Sequence, residues 1–248
     1  MSESGDGTGT GLGLGVLIIG SLYWDPAGHR KEWRSHCLDL DGERHVRAPI
    51  RYGRRSRSRG CSYTMVFSSS LAADQHGRAI VVPCGRARNA EDLVDAAVHL
   101  WTAESSDGKN PRRRVSASWG CVAVLENRQH PMPAAFRAAW TERIRRERCY
   151  GLLNSAVDED VAVDESGFLR IPWPVPWSEE TGSDLGVDIL LATATNPTIV
   201  RGRYPTAQQV ADAWNAPRGR KHVDYFIENK EHGIQTFEDD LIEARITA

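Results

Sequence analysis

Two features of this 248-residue chain have the residue types and spacing that chemistry needs: Glu104, late in an apolar helical stripe, and the turn Gly20-Ser21-Leu22. Leu93, Ala97 and Leu100 recur at helical spacing, and one more turn along the same face lands on Glu104. A carboxylate aimed toward the core side at a helix C-terminus is disfavoured in its ionised form by burial and by the helix dipole alike. A carboxyl group raised in this way suits general acid/base catalysis near neutral pH. The plainer reading is a glutamate at a frayed helix end. Glu126, which ends a later strand, is a second candidate for the same role.

The turn is an anion holder in the making. Leu14 to Ile19 is an apolar run about one buried strand long, and it stops abruptly at Gly20, where the backbone is free to turn. Successive N–H groups of Gly20, Ser21 and Leu22 left unpaired on one side would form a small nest for a carboxylate or an oxyanion. Alternatively, Gly-Ser simply ends a strand. A source of positive charge lies further on, between Arg44 and Gly60, where Arg44, Arg47, Arg51, Arg54, Arg55, Arg57 and Arg59 surround Tyr52. Few aromatic residues are interleaved for base stacking and no nucleic-acid-binding motif surrounds the run, so a nucleic acid is not the expected partner. The better reading places Arg51 and Arg54, with Tyr52 between them, beside a site for a small acidic substrate. Asn196, at the end of a later apolar strand, offers an amide to the substrate or caps its own turn.

Gly20-Ser21-Leu22 directly after an N-terminal strand, with Trp24 two residues on, resembles the Tyr-Gly-Ser-Leu loop of the gamma-glutamylcyclotransferase-like superfamily, including its glutathione-degrading branch. Ile19 stands where that family usually has tyrosine. The resemblance covers about the first half of the chain. It implies an α+β fold with a closed or nearly closed mixed β-barrel and flanking helices, and it leaves the proline-tryptophan segment and a C-terminal helical extension, read from pattern, outside its reach. It also implies a substrate loop that includes Tyr23 and Trp24, and a catalytic glutamate late in the helix that follows the early barrel strands, the position held by Glu104. The implied activity needs no cofactor and no metal: the substrate's amine attacks its own γ-glutamyl-type amide, releasing an amine and a cyclised product. Two alternatives stand beside it. One is another enzyme acting on an amine or amide metabolite on the same fold, and the other is a non-enzymatic protein that binds a small ligand.

The surrounding elements follow from pattern. Residues 1–13, rich in Gly, Ser and Thr, read as a disordered tail, and 14–248 as a single α+β domain with no clear linker. Asn89 is a good N-cap for a helix to Ser105. Cys61 to Ser68 and Arg78 to Val82 read as a β-hairpin, Val115 to Leu125 and Val187 to Ala194 as strands, and Pro133 opens an amphipathic helix with Phe136, Trp140 and Ile144 on one stripe. Pro172-Trp173-Pro174-Val175-Pro176-Trp177 reads as a stiff extended segment outside regular sheet. Helices are expected over Thr206 to Trp214, Val223 to Asn229 and Phe237 to Ile246.

Composition excludes several classes. The net charge of −2 argues against a dedicated polyanion binder. Five scattered cysteines, without a Cys-x-x-Cys pair, support neither a disulfide framework nor a zinc site. No run approaches the ~18 apolar residues of a membrane span, and the N-terminus lacks the pattern of a signal peptide. A soluble, cytoplasmic protein acting on a small, carboxylate-bearing molecule is the resulting expectation; nothing in the sequence indicates an oligomeric state.

Overall fold

The computed structural model describes residues 11–105, 108–147, 161–178 and 184–246. At its centre is β1 (Leu12–Ile18), flanked by β5 (Gly77–Ala87), antiparallel, and β9 (Ile189–Thr195), parallel. Beyond β5 lie β2 (Arg44–Ala48) and the short β8 (Val175–Pro176); beyond β9 lie β7 (Gly120–Glu126) and β6 (Ser116–Ala117). Together they form a mixed seven-stranded sheet in the order β6-β7-β9-β1-β5-β2-β8. β1 is buried along nearly its whole length, as a central strand with an unbroken apolar run should be. It begins at Leu12, so the last residues assigned to the tail are strand, and Gly13 N–H donates to Asp188 Oδ2 at 2.7 Å. Residues 1–10 of that tail lie outside the described residues.

β3 (Ile50–Ser56) and β4 (Ser62–Phe67) form a separate two-stranded ribbon. Pro49, between β2 and β3, has no N–H to continue a ladder, and at that residue the chain leaves the large sheet. The expected barrel closure is therefore corrected: among the described residues no ladder joins the ribbon to the sheet or β6 to β8. The expected hairpin of β4 with β5 is corrected too, since β4 pairs with β3 while β5 pairs with β1 and β2. A second chain segment occupies the start of β5. Arg78 and Gln235 exchange backbone hydrogen bonds of 2.7 and 2.9 Å, and a Cβ on Gly77 would lie 2.2 Å from the Gln235 carbonyl oxygen. The proline-tryptophan segment does enter regular sheet, at the outer edge. Val175 and Pro176 pair with Arg47 and Val46, an edge position being where a strand tolerates proline.

α1 (Gly28–Cys37) follows the Gly20 turn. α2 (Ala90–Glu104) starts at Asn89, whose side chain accepts from the N–H groups of Glu91 and Asp92 at 2.8 and 3.0 Å. It buries Leu93, Ala97 and Leu100 completely, so its register is fixed by the core and its last residue is Glu104. α3 (Ala134–Glu147) packs through Trp140 and Ile144. The C-terminal helices α4 (Ala207–Asn215), α5 (Asp224–Glu231) and α6 (Asp239–Glu243) cover the ribbon, where Tyr52 meets Trp214 edge-on at 4.9 Å and Phe226 at 6.3 Å. No helix of the described residues is long and apolar enough to cross a membrane.

Candidate active site

The Gly20 turn is closed by its own carbonyls. Tyr23 N–H donates to Gly20 O at 3.1 Å, and Trp24 and Asp25 donate to Ser21 O at 3.2 and 2.8 Å. The N–H groups of Gly20, Ser21 and Leu22 meet no acceptor among the described residues. Gly20 is required by close approach: a Cβ there would lie 2.7 Å from the Tyr225 hydroxyl. Two arginines of α1 hold the turn in place. Arg34 donates to the carbonyls of Leu22 and Asp25 at 2.8 and 2.9 Å, while Arg30 pairs with Asp25 at 2.8 Å and donates to Ser21 Oγ at 3.2 Å. Arg59, just beyond β3, donates to the same Ser21 hydroxyl at 2.9 Å. The serine side chain is thus an anchor for two cations rather than a free nucleophile.

Arg30 also joins this turn to the end of α2, because its Nε donates to Ala103 O at 3.2 Å and its Nη2 lies 3.5 Å from Glu104 Oε2. Between them is a cavity of about 450 Å³ whose wall includes Gly20, Ser21, Leu22, Arg54, Glu104 and Tyr225. Burial pushes the Glu104 carboxyl up from its ordinary range; Arg30 opposes this most, followed by Thr193, Arg54 and Arg59. Thr193 adjoins Glu104, but its hydroxyl forms no hydrogen bond of good geometry, and the same is true of Thr195 beside it. Arg54 is the least compensated cation of the wall. Its guanidinium lies 4.9 Å from the Trp119 ring centre, Trp119 stacks on Trp101 at 4.7 Å, and no carboxylate among the described residues is paired with it. Burial accordingly pushes the Arg54 pKa down.

Of the residues expected from sequence, the structure brings together Gly20, Ser21, Leu22, Arg54 and Glu104. Five others lie elsewhere. Tyr23 donates to Glu43 at 2.5 Å, and Trp24 Nε1 donates to Asn229 Oδ1 at 2.7 Å. Arg51 turns to Glu238, 3.8 Å away, and to the ring of Tyr204 at 4.4 Å. A register slip at Gly53 lies between Arg51 and Arg54, so their spacing of three does not carry one environment to the other. Tyr52 is a fully buried core residue, and Asn196 is spent on the β6–β7 turn, donating through Nδ2 to Ser118 O at 3.1 Å and through its N–H to Trp119 O at 3.0 Å. Glu126 is likewise outside the cavity, in a separate depression, where it accepts from Met132 N–H at 2.5 Å and pairs with Arg137.

Sequence reasoning missed Arg30, Arg59, Trp101, Trp119 and Tyr225 as members of the site. Arg59 was visible as part of the basic run, and Trp101 as a flank of the α2 stripe. Tyr225 carried no local signal, since it reaches Gly20 from more than two hundred residues away in the chain. Among the described residues no group of three or more His, Cys, Asp and Glu side chains is placed to hold a metal ion. Comparison of the chain with protein-family models, with curated proteins and with solved structures gives no match.

Proposed function

We propose that this cavity is the active site of a cofactor-independent, gamma-glutamylcyclotransferase-like enzyme acting on a small amide that bears a carboxylate. The observation that supports it is the pairing, in one cavity, of a carboxyl group raised by burial with three backbone N–H groups that have no partner. A protein that only binds an anion would use the amides and Arg54. It would gain nothing from a buried carboxylate beside them, which repels the ligand whenever it is ionised.

In the proposed reaction the substrate is held folded, its carboxylate on Arg54 and the carbonyl oxygen of its γ-amide toward the Gly20 turn. The free amine of the same molecule attacks that carbonyl carbon, forming a new C–N bond while the carbonyl electrons move to oxygen. Ionised Glu104 takes the proton released by the attacking amine. The N–H groups of the turn donate to the oxyanion, and they cost little reorganisation because the turn is already pinned by Arg30, Arg34 and Arg59. When the oxyanion collapses, the original amide C–N bond breaks and Glu104 returns the proton to the leaving amine. Atoms balance with one amide consumed, one lactam and one amine formed, and Glu104 restored.

The test is incubation of the protein with γ-glutamyl-alanine and detection of pyroglutamate and free alanine. The proposal expects turnover by the wild type and its loss in Glu104→Gln. Turnover that persists in the variant removes Glu104 from this role.

A further inference from the structure

The cavity contains a hydroxyl donor that neither the turn nor Glu104 accounts for. Tyr225, on α5, is buried, lines the cavity and rests its phenol oxygen against the backbone of Gly20, in the space a side chain there would need. The oxygen is already served as an acceptor. Met65 N–H donates to it at 3.4 Å, and the side-chain amide of Asn229, one helical turn further along α5, lies alongside it. Asn229 is oriented by Trp24, whose indole N–H takes the Asn229 oxygen and leaves the NH₂ group toward the phenols of Tyr225 and Tyr52. The ring itself is fixed by Arg59, whose guanidinium lies 4.6 Å from its centre. With the Met65 N–H on the acceptor side, the phenol hydrogen meets no acceptor among the described residues. The cavity is the open space beside it.

We infer that Tyr225 is a further catalytic residue, donating its phenol hydrogen to the substrate carbonyl oxygen as negative charge develops there, alongside the N–H groups of the Gly20 turn. The inference rests on the reading of the cavity given above. It gives the C-terminal helices a function in the site: α5 delivers a donor to a turn formed at the other end of the chain. It also explains why Asn229, whose NH₂ forms no hydrogen bond of good geometry, is buried at this point. An amide NH₂ beside the phenol offers it no acceptor, so the phenol hydrogen is left to point elsewhere. The phenol stays protonated in this role, consistent with burial raising its pKa.

Tyr225→Phe removes the hydroxyl and keeps the ring under Arg59. With γ-glutamyl-alanine as probe, kcat should fall about 100- to 1,000-fold, the range of losing one oxyanion donor. KM should stay within about threefold and the thermal midpoint should be nearly unchanged, a split that a merely structural tyrosine would not give. Wild-type kcat in Tyr225→Phe, with Glu104→Gln inactive, overturns the inference and leaves the function standing. If the wild type does not turn over the probe, the proposed function falls, and calorimetric titration with pyroglutamate then decides the donor. Affinity lowered about 5-fold or more in Tyr225→Phe keeps the phenol as a ligand donor, whereas equal affinity, or no binding by either protein, overturns it.

Discussion

Glu104 ends α2 and Glu126 ends β7, each at the close of an element that packs into the core, and both are candidates for the same proton-transfer role when only sequence is in hand. Their surroundings separate them. Each oxygen of Glu126 has a partner of its own, the Met132 N–H and the Arg137 guanidinium, and its acceptor capacity goes to tying the end of β7 to α3. Glu104 has Arg30 at 3.5 Å, too long for a good hydrogen bond, and beside it a threonine hydroxyl in imperfect geometry. A carboxylate with its partners built in is structure. One that is mostly buried, under-compensated and open to a cavity still has chemistry available to it.

The sharpest break of this comparison is a pair of isosteric substitutions. Glu104→Gln should reduce turnover of a γ-glutamyl substrate by about 10² to 10⁴, the usual worth of a general acid/base group. Glu126→Gln should leave kcat within about twofold and cost about 0.2 to 1 kcal/mol of stability, because the Arg137 guanidinium that loses its charged partner is half exposed and the amide still accepts from Met132 N–H. Parallel kinetics and urea unfolding of the two variants decide it. Equal losses of rate would erase the distinction drawn between the two glutamates.

The same contrast divides Arg54 from Arg51. Arg54→Ala should weaken the binding of glutamate-like ligands by about 1.5 to 3 kcal/mol, the scale of a charge-assisted hydrogen bond, and should do so less for the neutral amide of the same ligand. Arg51→Ala should leave affinity unchanged and lower stability instead, since it strands the carboxyl of Glu238, already raised by burial and opposed only by Arg51. This reverses the expectation from sequence that Arg51 meets substrate. Isothermal titration of both variants with acid and amide separates the outcomes, and a ligand that loses affinity through Arg51 would contradict the observed pairing.

What the sequence made legible was local. The stop at Gly20, the Asn89 cap and the 3.6-residue stripe leading to Glu104 each depend on neighbours within a turn or two, and the structure keeps all three. The interior strand β9 was readable for the same reason, from the apolar run that opens it. Failures came where a distant segment intervened. The partner of β5 was misread because β1 and β2, distant in sequence, take its two edges, and the phase of the arginines because pairing slips at Gly53. Tyr23 and Trp24 follow the turn directly in sequence, yet Glu43 and Asn229 draw them away from the cavity. Proximity along the chain was the wrong guide in those cases, and hydrogen-bond partners were the right one.

The smallest effect concerns stability, and it comes from the same under-compensation that makes Glu104 useful. Burial raises the Glu104 carboxyl in the folded protein, so folding favours its protonated form. As pH rises from the ordinary carboxylate range through the raised folded value, the folded state must accept a charge that the unfolded chain already carries in water, and stability is lost. Above that window the loss is complete and constant. Asp239, raised to about 6 by burial, contributes a loss of the same sign, and so does Glu238, but both are present in wild type and variant and cancel in the difference. Glu104→Gln does not titrate. Its stability relative to wild type should therefore increase with pH across the window and then level off, the whole change amounting to less than about 1 kcal/mol, within the range of single polar substitutions. Urea unfolding at a series of pH values measures that difference directly. A difference that stays flat with pH, or that moves against Glu104→Gln as pH rises, would mean that Arg30, Arg54 and Arg59 compensate the carboxylate fully, and Glu104 would then belong with Glu126 among the structural carboxylates.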